Sequence, residues 1–272
     1  MNKFKLALFD NDGTLVTDER VLTDRTRKAL IRLHEEGYLL GLASGRGYVD
    51  LKNYPEKWGL GFDFDVYISW NGAELYDGLT GQLYKFTYLQ PETIHEIIEY
   101  AKPMGISPNI PCDDAMLVTE VTEFVSESMS RNRQSLVRIV KNEEELYSSP
   151  APKILYRMSE EKMKEFEAFV AAHPTDKFIG YKTQPVVYEF ASPQSEKSFG
   201  VRKFCEMHDI SLDEVIAFGD TTNDNTMLAC CHGVCMANGS QDTKDVAKEI
   251  TRYTNNEDGL ADYVETHLLN KE

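Results

Sequence analysis

The sequence predicts an α/β protein, a doubly wound and mostly parallel sheet interrupted by an inserted α+β module. Two observations carry that reading. Short apolar runs alternate with amphipathic helical stretches in both outer thirds of the chain, the rhythm of right-handed parallel crossovers. Two of those runs also end in bursts of acidic residues. Asp10-Asn11-Asp12-Gly13-Thr14 follows Leu6-Ala7-Leu8-Phe9, and Gly219-Asp220-Thr221-Thr222-Asn223-Asp224 follows Val215-Ile216-Ala217-Phe218. In an open parallel sheet the carboxyl ends of the strands are where ligands bind.

The elements follow in order. Leu6 to Phe9 reads as a strand buried on both faces. Thr23 to Glu36 reads as a helix with Ala29, Leu30 and Leu33 on one face and Gly37 ending it. Tyr38 to Ala43 is a second strand, closed by Ser44-Gly45-Arg46, and a helical stretch through Val49 and Leu51 follows. Val66 to Ser69 is the third strand, running into Asn71-Gly72. From about Phe86 to Tyr188 the pattern changes: helices at Pro91–Lys102 and Glu160–His173 alternate with strand-like runs such as 153–158 and 186–190, without acidic punctuation. The last third resumes the first rhythm, with a helix from Lys197 to His208, a strand from Val215 to Phe218 and a helix from Asp224 to Cys231. A strand from Gly233 to Ala237 and a helix from Asp242 to Ile250 complete it. The expected organisation is a core of residues 1–85 and 190–272 with a module of residues 86–189 inserted after the third strand.

Composition narrows the function classes. The chain has 272 residues and a formal net charge of −16, which argues against nucleic acid or an anionic membrane as partner. It also means that an anionic substrate needs local cations. Met1 to Lys5 lead straight into the first strand without a signal-like apolar run, and no stretch has the length of a membrane span. A cytoplasmic location is expected. Five cysteines, Cys112, Cys205, Cys230, Cys231 and Cys235, fit a reducing compartment. Cys230-Cys231-His232 with Cys235 superficially suggests a soft-metal cluster, but the surrounding apolar residues read as a helix end entering a buried strand.

The acidic clusters ask for chemistry. Asp-Gly-Thr is good turn material, which accounts for Gly13 and for Asp12. It does not account for a carboxylate at Asp10 directly after four apolar residues. Alternation along the strand would point Asp10 and Asp12 the same way. Asp220 and Asp224 read equally as a turn and a helix cap. Together the clusters bring carboxylates to one crevice, where like charges repel unless a cation lies between them. An all-oxygen set favours a hard ion, most simply Mg²⁺. Ser44-Gly45, at a strand end leading into a helix, makes a small anion cradle. Lys197 opens a helix and reads either as a solvated first-turn lysine or, since the dipole disfavours a cation there, as one held by a cluster of Asp10, Asp220 and phosphate. Arg46 reads either as a substrate contact or as half of a salt bridge.

Asp10-x-Asp12-Gly13-Thr14, Ser44-Gly45-Arg46, Asn71-Gly72-Ala73, Lys197 and Gly219-Asp220-x-x-Asn223-Asp224, in this order, resemble the haloacid dehalogenase superfamily of phosphatases. The nearest branch resembles the Cof-type, sugar-phosphatase-like group with its large α+β cap, and Asn256 to Ala261 resemble that branch as well. The resemblance implies a Rossmann-like core and an aspartyl-phosphate mechanism. Asp10 would be the nucleophile and Asp12 the general acid and base. Mg²⁺, with Mn²⁺ as the alternative, would be held by Asp10, the Asp12 backbone carbonyl and Asp220, with Asp224 as ligand or support. Gly13, Ser44, Gly45, Arg46, Asn223 and Lys197 would hold the phosphate, and the inserted module would close over the crevice and read the leaving group of a small phosphorylated metabolite. Thr221-Thr222 and Asn225 depart from the branch's usual residues without removing a chemical group. A phosphomutase on the same scaffold and a Mg²⁺- or phosphate-binding module without turnover are the competing readings.

Overall fold

The computed structural model describes residues 4–112, 115–132 and 136–269. In chain order the elements are β1 (Leu6–Phe9), α1 (Asp24–Glu35), β2 (Leu39–Ala43), α2 (Tyr48–Leu51), α3 (Tyr54–Trp58), β3 (Val66–Ser69), β4 (Glu74–Asp77) and β5 (Gln82–Lys85). Then come α4 (Pro91–Ala101), β6 (Pro108–Cys112), β7 (Ala115–Val118), α5 (Glu123–Asn132), β8 (Leu136–Ile139), β9 (Lys153–Arg157), α6 (Glu160–Ala172), β10 (Ile179–Gln184) and β11 (Val187–Ala191). The chain closes with α7 (Lys197–Met207), β12 (Val215–Gly219), α8 (Asn225–Cys230), β13 (His232–Cys235), α9 (Gln241–Val246), β14 (Glu249–Ile250) and α10 (Gly259–Tyr263).

These elements form two compact units, one of Met1–Phe86 with Glu196–Glu272 and one of Thr87–Ser195. The first holds an eight-stranded sheet in the order β14-β13-β12-β1-β2-β3-β4-β5. Its pairings are parallel from β14 to β3 and antiparallel across β4 and β5. Strand β1 lies at its centre and is buried at every position, as a parallel strand covered on both faces must be. Its side chains alternate between two apolar layers. Ala7 and Phe9 pack with Leu30, Leu33 and Tyr263, whereas Leu6 and Leu8 pack with Val201, Phe204 and Val215. Helix α1 starts where expected because the Thr23 hydroxyl accepts from the Thr26 amide at 3.1 Å, a side-chain cap.

The second unit holds a six-stranded sheet in the order β10-β11-β9-β6-β7-β8, antiparallel except between β7 and β8. One of its faces is covered by an apolar cluster that joins Ile94, Ile97 and Ile98 of α4 to Met163 and Phe166 of α6.

Two stretches differ from the sequence reading. The helix expected over Asp242 to Ile250 stops at Val246, because Ala247 turns extended (φ −74°, ψ 150°). Glu249 and Ile250 then pair as a strand with Val234 and Cys235. The β4–β5 hairpin was not anticipated, and it gives the otherwise parallel sheet an antiparallel edge. The cysteine-histidine run forms no shared centre: His232 pairs with Glu249 at 2.8 Å and the Cys235 thiol donates to its neighbour's carbonyl at Met236. Among the described residues, no helix is long and apolar enough to cross a membrane.

Candidate active site

Strands β1 and β12 run side by side in register, Phe9 opposite Phe218, so the residues that follow them emerge together at the carboxyl edge of the sheet. The Asp10 amide still bonds the Phe218 carbonyl at 2.9 Å, which fixes the backbone of the first acidic residue to the end of the second strand. Carboxylate oxygens of Asp10, Asp220 and Asp224 lie within 4.8 Å of one another, and all three side chains are buried. Lys197, the first residue of α7, reaches into this group and is fully buried. Its ammonium donates to Asp10 Oδ1 at 2.5 Å and to Asp224 Oδ1 at 2.6 Å.

Asp224 is held from its other side as well. Its Oδ2 accepts from the backbone amides of Asp220 at 2.9 Å and Thr221 at 3.1 Å, so it braces the loop that carries Asp220. Asp220 Oδ1 accepts from the Thr14 hydroxyl at 3.0 Å. Asp10 Oδ2 and Asp220 Oδ2 receive no hydrogen bond among the described residues. Gly13 explains how Asp220 comes so close. Its φ is +83°, and a Cβ there would lie 2.4 Å from Asp220 Oδ2.

Three carboxylates around one ammonium leave the group with excess negative charge, and the titration behaviour registers it. Burial raises the Asp10 carboxyl well above its ordinary value against the pull of Lys197, and Asp224 and Asp220 raise it further. Asp220 is pushed up to about 7, by burial first and by Asp224 next. Burial opposes the charge on Lys197, but Asp10 and Asp224 outweigh it and hold the ammonium above its ordinary value. A divalent cation on the two open oxygens would relieve this excess. The donor set, oxygen-only and buried, fits a hard ion.

The other expected residues divide. The Asp12 carboxylate stands apart from the three-carboxylate group, half-exposed, and binds the Arg46 guanidinium at 2.7 Å (Nη2) and 3.1 Å (Nε). Of the two readings of Arg46, this geometry is the salt bridge. Ser44 is buried, and its hydroxyl accepts from the Arg46 amide at 3.2 Å. Asn223 is exposed and donates from Nδ2 to Asn71 Oδ1 at 3.3 Å. Thr14 and Asn71 had been given no role from the sequence. The Asn-Gly pair just past β3 was the available signal for Asn71.

A family model described as haloacid dehalogenase-like hydrolase matches residues 7–264. The chain belongs to this family. Pyridoxal phosphate phosphatase YbhA of Escherichia coli is 24% identical over 275 residues, spanning 97% of this chain and 99% of its own. The Bacillus subtilis 5-amino-6-(5-phospho-D-ribitylamino)uracil phosphatase YitU is 23% identical over 273 residues and 97% of each chain. A haloacid dehalogenase-like hydrolase from Bacteroides thetaiotaomicron superposes with a TM-score of 0.85 at 26% identity, over 97% of this chain and 99% of that one. As a haloacid dehalogenase-like hydrolase, the protein presents a buried carboxylate oxygen, a neighbouring ammonium and a second, solvent-facing carboxylate at one sheet edge. Those are the parts that phosphoryl transfer requires.

Proposed function

We propose that the protein is a Mg²⁺-dependent phosphatase of small phosphorylated metabolites that works through an aspartyl-phosphate on Asp10. The observation that carries this reading is the Lys197 ammonium set between Asp10 and Asp224, beside Asp220, at the end of two paired parallel strands. Asp10 and Asp220 would hold the metal, with Asp12 contributing its backbone carbonyl and Asp224 bracing the site. When bound, Mg²⁺ supplies charge neutralisation for the phosphoryl oxygens and keeps Asp10 ionised.

The rest falls to the protein's own groups. Asp10 attacks phosphorus, forming an O–P bond as the bond to the leaving oxygen breaks. Asp12 gives that oxygen a proton, then takes one from water as the water displaces Asp10 and frees inorganic phosphate. Arg46 holds the Asp12 carboxylate in place between these steps. Lys197, the Ser44 hydroxyl, the backbone at Gly13 and Gly45, and Asn223 offset the charge of the transferring group. That local supply of donors answers the repulsion an anionic substrate meets from a chain of net charge −16.

We assign the choice of leaving group to the inserted segment 86–189. The names of YbhA, a pyridoxal phosphate phosphatase, and YitU, a 5-amino-6-(5-phospho-D-ribitylamino)uracil phosphatase, support small phosphorylated metabolites as the substrate class. Five free cysteines support a reducing, cytoplasmic setting. A panel of phosphomonoesters with Mg²⁺ tests the reading, with inorganic phosphate release as the expected result. Phosphoryl return to substrate would make the protein a mutase, and binding without turnover on any panel member would make it a sensor.

A further inference from the structure

Three consecutive residues after β3 have left-handed backbone: Trp70 (φ 49°), Asn71 (φ 54°) and Gly72 (φ 92°). Glycine adopts this region freely and asparagine tolerates it, but a bulky residue such as tryptophan does not. Such strain persists where the surroundings fix it, and it gathers at ligand sites. Here it is fixed by the loop after β2. The Asn71 amide bonds the Ser44 carbonyl at 3.0 Å, and the Trp70 amide bonds the Arg46 carbonyl at 2.9 Å. Gly47 leaves room for the Trp70 ring, which a Cβ would meet at 2.6 Å.

The result places the Asn71 carboxamide over Gly45, where an added Cβ would lie 3.3 Å from Oδ1 and 3.6 Å from Nδ2. A chain of donors then sets which way the amide faces. The Thr221 hydroxyl donates to Asn223 Oδ1 at 2.6 Å, so Asn223 must present its Nδ2 to Asn71 Oδ1. Asn71 Nδ2 is thereby left as a donor, and no described residue accepts from it. A donor held by strained backbone thus lies beside Ser44, Gly45 and Asn223, the residues that the phosphatase reading gives to phosphate.

We propose that Asn71 is a further substrate-binding residue, donating from Nδ2 to an oxygen of the phosphoryl group. This rests on the phosphatase reading above and adds to its donor set.

The test uses two variants of the full chain. Asn71→Gly keeps the left-handed backbone and deletes the amide. Asn71→Asp keeps an acceptor for Asn223 but replaces the donor with a charge. Inorganic phosphate is the probe, its affinity measured by calorimetry and by inhibition of p-nitrophenyl phosphate hydrolysis with Mg²⁺ present. Both variants are expected to keep the parent melting temperature within a few degrees. Both should weaken phosphate about ten- to a hundredfold, the scale of one lost hydrogen bond to a charged group, with KM rising more than kcat falls. Unchanged phosphate affinity in both variants overturns the assignment. So does a defect in Asn71→Gly that Asn71→Asp restores, because the residue would then act only through Asn223. A wild-type protein that neither binds phosphate nor hydrolyses phosphomonoesters would instead overturn the phosphatase reading beneath it.

Discussion

Lys197 donates to Asp224 at 2.6 Å with both side chains closed to solvent, at the first residue of a helix. That position disfavours a cation by its dipole, so the lysine is placed for the carboxylates and not for the helix. Removing one partner of a buried ion pair leaves the other charge uncompensated, at a cost of about 3–5 kcal/mol. Lys197→Met is therefore expected to lower unfolding stability by about that amount in metal-free buffer, measured by urea titration, and to abolish phosphatase activity. Mg²⁺ should recover part of the lost stability by taking over the neutralising role. An unchanged urea midpoint would refute the compensating role of Lys197.

Asp10→Asn removes a buried negative charge that burial, Asp224 and Asp220 all disfavour. Its carboxyl is already raised well above the ordinary value, so the amide should leave the fold as stable as the parent or more so. Turnover of phosphomonoesters should fall by more than about a thousandfold, the scale seen when a covalent nucleophile is removed. Mass spectrometry of acid-quenched wild-type protein should show a phosphoryl adduct that the variant lacks. Substantial turnover by Asp10→Asn would move the nucleophile elsewhere.

The two kinds of site residue differ in how far the sequence revealed them. Asp10 stood out because a carboxylate straight after four apolar residues is not explained by turn chemistry, whereas Asp220 and Asp224 read equally as a turn and a cap, and only the pairing of β1 with β12 sets them beside Asp10. Asn71 did not stand out, because Asn-Gly is ordinary turn chemistry. Its geometry comes from left-handed backbone that only the distant Ser44 loop holds in place. Arg46 meets Asp12 at 2.7 Å across a separation of 34 residues, a pairing that no local pattern announces. In the fold, β1, β2, β3 and β12 announced themselves as apolar runs. The segment after Val246 did not, since Glu249 and Ile250 become a strand only by pairing with β13.

The pH dependence of stability follows from Asp220. Its carboxyl is pushed up to about 7 by burial and then by Asp224, against about 3.9 in an unfolded chain. Between those values the folded protein binds more protons than the unfolded one, so stability falls as pH rises. The contribution of protonated Asp220 is complete below about 3.9 and is lost as pH passes through about 7. Thermal scans in EDTA should give a lower Tm at pH 8 than at pH 5.5. Mg²⁺ should raise Tm more at pH 8, because at pH 5.5 it must first displace the proton. Equal Mg²⁺ shifts at the two pH values would remove Asp220 from the metal site.

Asp12 and Arg46 form a partly exposed pair, for which a stability contribution of about 0–1 kcal/mol is expected. Replacing Asp12 should therefore show in rates and not in folding. With Asp12→Asn, single-turnover release from an alkyl phosphate should slow by about a hundred- to ten-thousandfold, since the poor leaving group needs the proton. Release of p-nitrophenol in the first turnover should stay within a few-fold of wild type, because that anion leaves unassisted. Equal loss on both substrates would count against the acid role.

Gly13 and Gly37 share a φ of +83°, but their surroundings differ completely. A Cβ at Gly37 meets nothing within 4 Å, whereas one at Gly13 lies 2.4 Å from Asp220 Oδ2. Alanine at Gly37 thus incurs backbone strain alone, about 1 kcal/mol or somewhat more. Alanine at Gly13 incurs the same strain and also displaces a carboxylate assigned to the metal. Both variants should lose similar stability in EDTA, or Gly13→Ala slightly more. Only Gly13→Ala should weaken Mg²⁺ binding, by about ten- to a hundredfold in calorimetry, the range observed when support of a metal ligand is disturbed. Parallel losses of Mg²⁺ affinity in the two variants would show that the effect travels through general destabilisation. Wild-type affinity in Gly13→Ala would mean that Asp220 can yield without cost to the metal.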